Sequence, residues 1–278
     1  MWSVRRRLAT AAVVVVVLAG GTVGLWFLFH PTISPTPGCV VAGPSSSDTG
    51  STGVSSNFTL SPAQTDNAAT IAGVGLRLGM PDHAVTVALA TAMQESGLVN
   101  LTGGDRDSAG LFQQRPSQGW GTYAQITDPV YASTAFYDKL RAVPGWATLD
   151  VTAAAQAVQH SAAPDGYAQW ESEARAMAIA FTGEAPAALS CHDLTIPAPS
   201  TSLINVANAE LGTAVLSGQH DPARGWALAS WLVGHAQRLG VDQVSFDGRT
   251  WTAASGTWSP AGPANGTLAL HQVPAAAG

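Results

Sequence analysis

Hydrophobic residues recur at helical spacing through the middle of the chain. The first helix is predicted to follow Ser61-Pro62 and to carry four apolar residues on one side: Ala68, Ile71, Val74 and Leu78. A second helix is predicted between Pro81 and Gly97, because proline suits a first helical turn and glycine suits a C-cap. Similar signals predict three more helices, within 128–145, 148–162 and 166–183. The segment 62–182 is therefore predicted to be helical, apart from a polar loop at 98–122.

The hydrophobic pattern changes in the last quarter of the chain. Helical spacing continues over 222–239, and the residues that follow alternate between apolar and polar up to an Asp247-Gly248 turn signal. A strand is predicted on each side of this turn, and a last strand near 268–273. These elements predict a small α+β module. Because the longer segment before it is predicted to be helical, the chain as a whole is predicted to be mainly α.

The N-terminus carries the longest apolar run. Arg5, Arg6 and Arg7 precede the run Leu8–Phe29, whose 22 residues would span roughly 33 Å as a helix, enough to cross a hydrocarbon core of about 30 Å. Arginines on the N-terminal side predict a cytoplasmic N-terminus and extracellular C-terminal domains. The alternative is a signal peptide whose cleavage releases a secreted protein.

Composition divides the rest of the chain. Residues 31–61 are rich in Pro, Ser, Thr and Gly, and residues 183–202 are rich in Ala and Pro. The predicted segments are an arginine cluster with a transmembrane helix at 1–30, a stalk at 31–61, a helical domain at 62–182, a linker at 183–202 and an α+β module at 203–278.

Charge and cysteine usage narrow the functional classes. Charged residues make up 11 % of the chain and hydrophobic residues 46 %, which excludes a wholly disordered chain. Without the arginine triplet, 9 basic residues face 18 acidic ones (12 − 3 = 9, and 9 − 18 = −9), which argues against nucleic acid as a partner. Cys39 and Cys191 flank the helical domain and predict one disulfide, although two unpaired thiols are the alternative.

One carboxylate stands at the end of the second predicted helix. Glu95 would face the negative end of the helix dipole among apolar neighbours, and both effects raise the pKa of a carboxyl group. A raised pKa suits a general acid working near neutral pH, for example in glycoside cleavage. The alternative is an ordinary solvated glutamate at a helix end.

The polar loop at 98–122 adds candidate ligand-binding residues. Gln113, Gln114 and Arg115 offer amide and guanidinium donors that suit the hydroxyl groups of sugars. The rings of Trp120 and Tyr123 could stack on sugar faces, although ordinary core packing is the alternative for them.

Two acidic residues precede these donors in the same loop. Asp105 and Asp107 are candidate second carboxylates, with turn formation as the alternative. A calcium loop is excluded because Ala109 and Pro116 occupy two of its ligand positions. We therefore expect neither a metal nor a cofactor.

Two stretches resemble a known family. "ATAMQESGL" and "SAGLFQQRPSQGWG" are similar to the lytic transglycosylase branch of the lysozyme-like superfamily, in particular to membrane-anchored actinobacterial proteins. The resemblance implies a lysozyme-like helical domain with Glu95 as the catalytic acid, Ser96 beside it as a substrate-binding residue and Gln113 in contact with substrate. The family's third motif, Ala-Tyr-Asn, is absent, and Gln159 and His160 stand at the comparable place.

The resemblance also implies a substrate and a reaction. Glu95 would protonate the bond between N-acetylmuramic acid and N-acetylglucosamine in peptidoglycan, and then activate either the sugar's own C6 hydroxyl group or water. These are the lytic transglycosylase and muramidase reactions, and both remain open. The alternative is a non-catalytic cell-wall-binding or scaffold protein, which the missing third motif favours.

Overall fold

The centre of the chain is a set of packed helices. The computed structural model describes residues 36–43 and 57–275. The helices in this central part are α1 (Pro62–Arg77), α2 (Asp82–Ser96), α3 (Tyr123–Ile126), α4 (Pro129–Ala142), α5 (Val151–Gln159) and α6 (Glu171–Thr182). Short 3₁₀-helices at Pro116–Gln118, Trp146–Thr148 and Pro164–Trp170 lie between them. Later in the chain come α7 (Leu203–Leu211), α8 (Pro222–Gly234) and α9 (Ala236–Leu239).

Helix α2 lies at the centre of the core. Its residues from Ala84 to Met93 are all buried, and all of them except Leu89 and Met93 have small or β-branched side chains, which let α5 and α6 pack closely on it. Gly97 is confirmed as the C-cap, in the left-handed conformation (φ 62°), whereas Pro81, predicted in the first turn, stands at the N-cap and the helix begins at Asp82. This stop places Glu95 in the last turn, where the helix emerges from the core.

A three-stranded antiparallel sheet joins distant parts of the chain. Its strands are β1 (Gly38–Ala42), β2 (Asn57–Leu60) and β3 (Leu189–His192), in the order β2-β1-β3. In the register of β1 and β3, Cys39 lies directly opposite Cys191, and the two form a disulfide. The predicted disulfide is therefore confirmed. Residues that the composition assigned to a stalk and a linker supply all three strands.

A five-stranded antiparallel sheet forms the C-terminal part. Its strands are β4 (Gly218–Gln219), β5 (Val241–Phe246), β6 (Arg249–Thr252), β7 (Trp258–Pro260) and β8 (Thr267–Gln272), in the order β4-β8-β5-β6-β7. The predicted hairpin is confirmed as β5 and β6. Its turn residues Asp247 and Gly248 both have positive φ angles (49° and 75°), which suits the twist of a tight hairpin.

Helix α8 connects this sheet to the central helices. On one side Trp226 packs edge-on against Phe246 and Trp258, with ring centroids 5.3 and 5.2 Å apart. On the other side Gly234 meets Ala69 of α1 and Phe181 of α6. The predicted boundary at 183–202 therefore runs through a continuously packed region, and the described residues from Pro37 onward form one compact unit.

A buried network of charges lies where α1, α7 and α8 meet. The fully buried imidazole of His235 bonds to Asp66 through Nδ1 (2.6 Å) and to Glu210 through Nε2 (2.8 Å). Arg238 donates to the same two carboxylates at 2.7 and 2.9 Å. Burial by itself lowers the pKa of His235, but the charges of Glu210 and Asp66 outweigh it and raise that pKa to about 8. The network therefore pairs two carboxylates with two cations.

The fold-class prediction of a mainly α protein with a lysozyme-like helical domain is wrong. The described residues hold nine α-helices together with two antiparallel sheets, and the fold is mixed α+β. The prediction failed because the strands of the first sheet are only four or five residues long, and β1 pairs with β3 across more than a hundred residues of sequence. Such short segments carry little periodic signal of their own.

The predicted single-pass membrane location also needs correction. Among residues 36–43 and 57–275, none of the helices combines the length and the apolar composition that crossing a bilayer requires. Residues 8–29, on which the prediction depended, lie outside the described residues.

Candidate functional site

A large cavity opens beside the C-terminal end of α2. Its volume is about 1070 Å³, and its wall is built by the last turn of α2, the loop at 98–122, and the C-terminal ends of α4 and α5. Seven of the residues singled out in the sequence line it: Glu95, Asp105, Gln113, Arg115, Trp120, Gln159 and His160. The cavity therefore brings together predicted residues that are up to 65 positions apart in the chain (160 − 95 = 65).

The carboxyl group of Glu95 is half-buried in this wall. Its Oε1 accepts a hydrogen bond from the hydroxyl group of Tyr167 at 2.8 Å. Burial raises the pKa of Glu95 above its ordinary value, while hydrogen bonds from Tyr167 and Gln159 act in the opposite direction. The net direction is the one a general acid requires.

Tyr167 is a site residue that the sequence reasoning missed. Its ring is buried in the 3₁₀-helix Pro164–Trp170, and burial together with the nearby Glu95 carboxylate raises its pKa well above its usual range. The hydroxyl group therefore stays protonated and donates to Glu95. One signal in the sequence could have found it: this tyrosine closely follows the place of the absent third motif. A tyrosine that is buried there needs a hydrogen-bond partner for its hydroxyl group.

Gln94 holds this 3₁₀-helix against α2. Its Oε1 accepts hydrogen bonds from Trp170 Nε1 at 2.9 Å and from Gln169 Nε2 at 3.1 Å. Gly166 packs directly on the Gln94 amide, where a Cβ atom would approach it within 3.1 Å. Because these contacts tie the two elements together, the hydroxyl group of Tyr167 is kept in reach of Glu95.

Ser96 connects α2 to the polar loop. Its hydroxyl group lies 2.7 Å from the Leu111 carbonyl oxygen and 3.0 Å from the Ala92 carbonyl oxygen. It was predicted to bind substrate, but it does not line the cavity. Its contacts instead hold the loop that carries Gln113 and Arg115 beside Glu95.

Two glutamine amides face the cavity with part of their hydrogen-bonding capacity already used. Gln113 accepts a bond from Ser108 Oγ at 3.0 Å and donates one to the Gly110 carbonyl group at 3.1 Å. Gln159 donates to the Phe112 carbonyl group at 2.7 Å. These bonds orient the amides, and each amide keeps donor or acceptor sites that a ligand can use.

Two other predicted ligand-binding residues lie away from the cavity. Gln114 is 1 % exposed and donates to the Ala132 carbonyl group at 3.1 Å. Tyr123 is 51 % exposed on the outer surface, where its hydroxyl group donates to the Thr102 carbonyl group at 2.6 Å. The structure does not bring these two side chains together with Glu95.

The two candidate second carboxylates differ in their surroundings. Asp107 bonds to Arg115 at 2.7 Å and accepts from the Ser117 backbone N–H at 2.8 Å. These bonds hold the pKa of Asp107 well below its usual range, and the bond from the Ser117 backbone N–H has the largest effect. Asp105 does line the cavity, but its side chain is 92 % exposed. Asp107 therefore serves to position Arg115, and Asp105 is the second carboxylate on the wall.

Comparison with known proteins adds no assignment. No protein-family model matches the chain, and no curated protein matches it significantly.

Proposed function

We propose that the protein cleaves the glycan strands of peptidoglycan between N-acetylmuramic acid and N-acetylglucosamine, with Glu95 as both acid and base. The observation that carries the proposal is the position of this carboxyl group. It is half-buried on the wall of a cavity of about 1070 Å³, has a raised pKa and is hydrogen-bonded by Tyr167 at 2.8 Å. The similarity of its flanking motifs to lytic transglycosylases supports the choice of substrate.

The cavity suits a sugar polymer. Its volume of about 1070 Å³ slightly exceeds the roughly 300–1,000 Å³ that small-molecule pockets occupy, so it has room for several sugar rings. Amide groups at Gln113 and Gln159 lie on its wall and can form hydrogen bonds with hydroxyl and N-acetyl groups. The ring of Trp120 also lines the wall, but it is only 9 % exposed and the Lys139 ammonium group lies 3.8 Å from its centroid, so polar contacts rather than ring stacking support the fit.

The first step is proton transfer to the leaving group. The protonated Glu95 carboxyl group donates its proton to the glycosidic oxygen while the bond from that oxygen to C1 breaks and positive charge develops on the ring. The Glu95 carboxylate that remains is stabilised by the hydroxyl group of Tyr167. Tyr167 therefore acts after the proton has left, when the carboxylate carries a full charge.

The second step returns a proton to Glu95. The carboxylate removes the proton from the sugar's own C6 hydroxyl group as O6 bonds to C1, which gives a 1,6-anhydro end and restores the acid. The same steps with water in place of the hydroxyl group give a reducing end. Among the described residues on the wall, Asp105 is the other carboxylate, and its exposure favours the route that needs no buried second carboxylate.

The test is digestion of purified cell wall with mass spectrometry of the soluble products. We expect Glu95→Gln to reduce product release roughly a hundredfold to ten-thousandfold, because the general acid is lost. Glu173→Gln is the matched control, since Glu173 is also partly buried with a pKa raised by burial but does not line the cavity. Equal release by the wild type and Glu95→Gln would refute the assignment.

The same assay identifies the reaction and the alternative function. A 1,6-anhydro end identifies a transglycosylase, and a reducing end identifies a muramidase. Co-sedimentation with insoluble wall, without soluble products from the wild type, would instead identify a wall-binding protein. The replacement of the family's third motif by Gln159 and His160 is the observation that favours this alternative.

A further inference from the structure

The only lysine of the 278-residue chain lies on the wall of the candidate cavity. Lys139 is in the last turns of α4, and its Nζ lies 3.8 Å from the centroid of the Trp120 ring. Both residues line the same cavity as Glu95. Contact with the negative face of an aromatic ring restricts the ammonium group to one side, and the remaining N–H donors stay available.

Lys139 differs from the other two cations of this wall. Arg115 is paired with Asp107 at 2.7 Å, and Arg106 lies 3.8 Å from Asp105. The nearest acidic residue in sequence to Lys139 is Asp138, which pairs with Arg141. Within the described residues, no carboxylate lies within ion-pair distance of the Lys139 ammonium group.

We propose that Lys139 and Trp120 form a subsite for a carboxylate group carried by the glycan strand. This inference rests on the proposed function and adds a determinant of substrate specificity to it. The ammonium group would bind the carboxylate, and the Trp120 ring would hold the ammonium group in place from its other side. Strands with free carboxylates are therefore preferred over neutral sugar polymers of the same length.

The physical reason is the arrangement of charge on the wall. A cation that already has a carboxylate partner gains little from a second one, because the first contact must be weakened. Lys139 has no such competitor in the described residues, so a ligand carboxylate adds a charge-assisted hydrogen bond without replacing one. Two groups of peptidoglycan have this chemistry: the carboxylates of the peptide stem and, where the stem has been removed, the lactyl carboxylate of muramic acid.

The test measures binding, so that it does not depend on turnover. The full chain carrying Glu95→Gln is titrated with four soluble probes. These are glycan strands with intact peptide stems, strands freed of peptide by an amidase, strands whose carboxylates have been converted to amides, and a neutral chito-oligosaccharide. We expect binding to intact strands about tenfold tighter than binding to amidated strands, as one charge-assisted contact predicts. The difference should shrink at high salt.

Variants assign this difference to the lysine. Added to Glu95→Gln, Lys139→Met should abolish the preference for carboxylated strands, and Lys139→Arg should keep most of it. Arg249→Met is the matched control, because it removes the same charge from an exposed residue of β6 outside the cavity. Peptide-free strands identify the ligand group, because the amidase removes the stem carboxylates and frees the lactyl carboxylate: tight binding shows that the subsite accepts the lactyl carboxylate, and weak binding shows that it requires a stem carboxylate.

Chemical modification gives a second measurement on unmutated Lys139. Because the chain has one lysine, acetylation of its side chain can be followed by mass spectrometry of a single peptide. Carboxylated strands should slow this acetylation at least severalfold, and amidated strands should not. Equal affinity of Lys139→Met and its parent for carboxylated strands, or equal acetylation rates, would overturn the inference.

The subsite and the proposed function can fail separately. Cleavage is measured on chains that retain Glu95, whereas carboxylate preference is measured on Glu95→Gln chains. Preference that depends on Lys139 without any cleavage supports the subsite and refutes the enzyme. Cleavage with no dependence of binding on Lys139 supports the enzyme and refutes the subsite.

Discussion

The buried network around His235 makes stability depend on pH in a predictable direction. The folded protein holds the His235 proton more tightly than the unfolded chain, because Asp66 and Glu210 raise its pKa from the ordinary 6.5 to about 8. The resulting stabilisation is fully present below pH 6.5 and is lost as the pH rises through about 8. At about 1.4 kcal/mol per unit of pKa, this difference corresponds to about 2 kcal/mol.

The assay is urea unfolding at several values between pH 6 and pH 9. Tryptophan fluorescence suits it, since several of the nine tryptophans, including Trp231, which donates to Glu210 at 2.9 Å, are buried in the folded protein and become exposed on unfolding. We expect the free energy of unfolding of the wild type to fall by about 2 kcal/mol over this range. His235→Gln should remove this dependence and cost roughly 3–5 kcal/mol at pH 6, because two buried carboxylates are left with one cation.

An exposed pair provides the control. His271 also bonds to an aspartate, Asp242, at 2.6 Å, but its side chain is 62 % exposed. We expect His271→Gln to change the free energy of unfolding by no more than about 0.5 kcal/mol at any pH tested. The reasoning is refuted if the wild type is equally stable at pH 6 and pH 9, or if His235→Gln keeps the wild-type slope.

Three further predictions follow from other contacts. Replacing Cys39 and Cys191 together with serine opens a loop with a sequence separation of 152. The free energy of unfolding in urea should fall by about 5 kcal/mol, and a loss below about 1 kcal/mol would contradict this. Tyr167→Phe removes a donor to the Glu95 carboxylate, so the pKa of Glu95 should rise and the basic limb of the pH–rate profile for wall digestion should move to higher pH; an unmoved limb would argue against the contact. Gly225→Ala places a Cβ atom against the ring of Phe246 and should cost roughly 1–3 kcal/mol in thermal or urea unfolding, whereas unchanged stability would mean that α8 can move away from β5.

Residues next to one another in sequence determined the helices, their ends and the hairpin. Pro81 and Gly97 bound α2 as predicted, Asp128 caps α4, and Asp247-Gly248 makes the turn between β5 and β6. Each of these signals acts within a few residues, because a cap or a turn satisfies backbone groups in its own neighbourhood. The position of Glu95 at the end of a buried helix was determined in the same way.

Contacts between distant residues were decided only by the tertiary structure. The pairing of β1 with β3 joins residues about 150 positions apart, and the bond from Tyr167 to Glu95 joins residues 72 positions apart. Gln114 points into the core although Gln113 faces the cavity. Local propensity does not specify such contacts, because they depend on how whole elements pack. Neighbouring residues therefore determined that an acid stands at the end of α2, and packing decided which groups surround it.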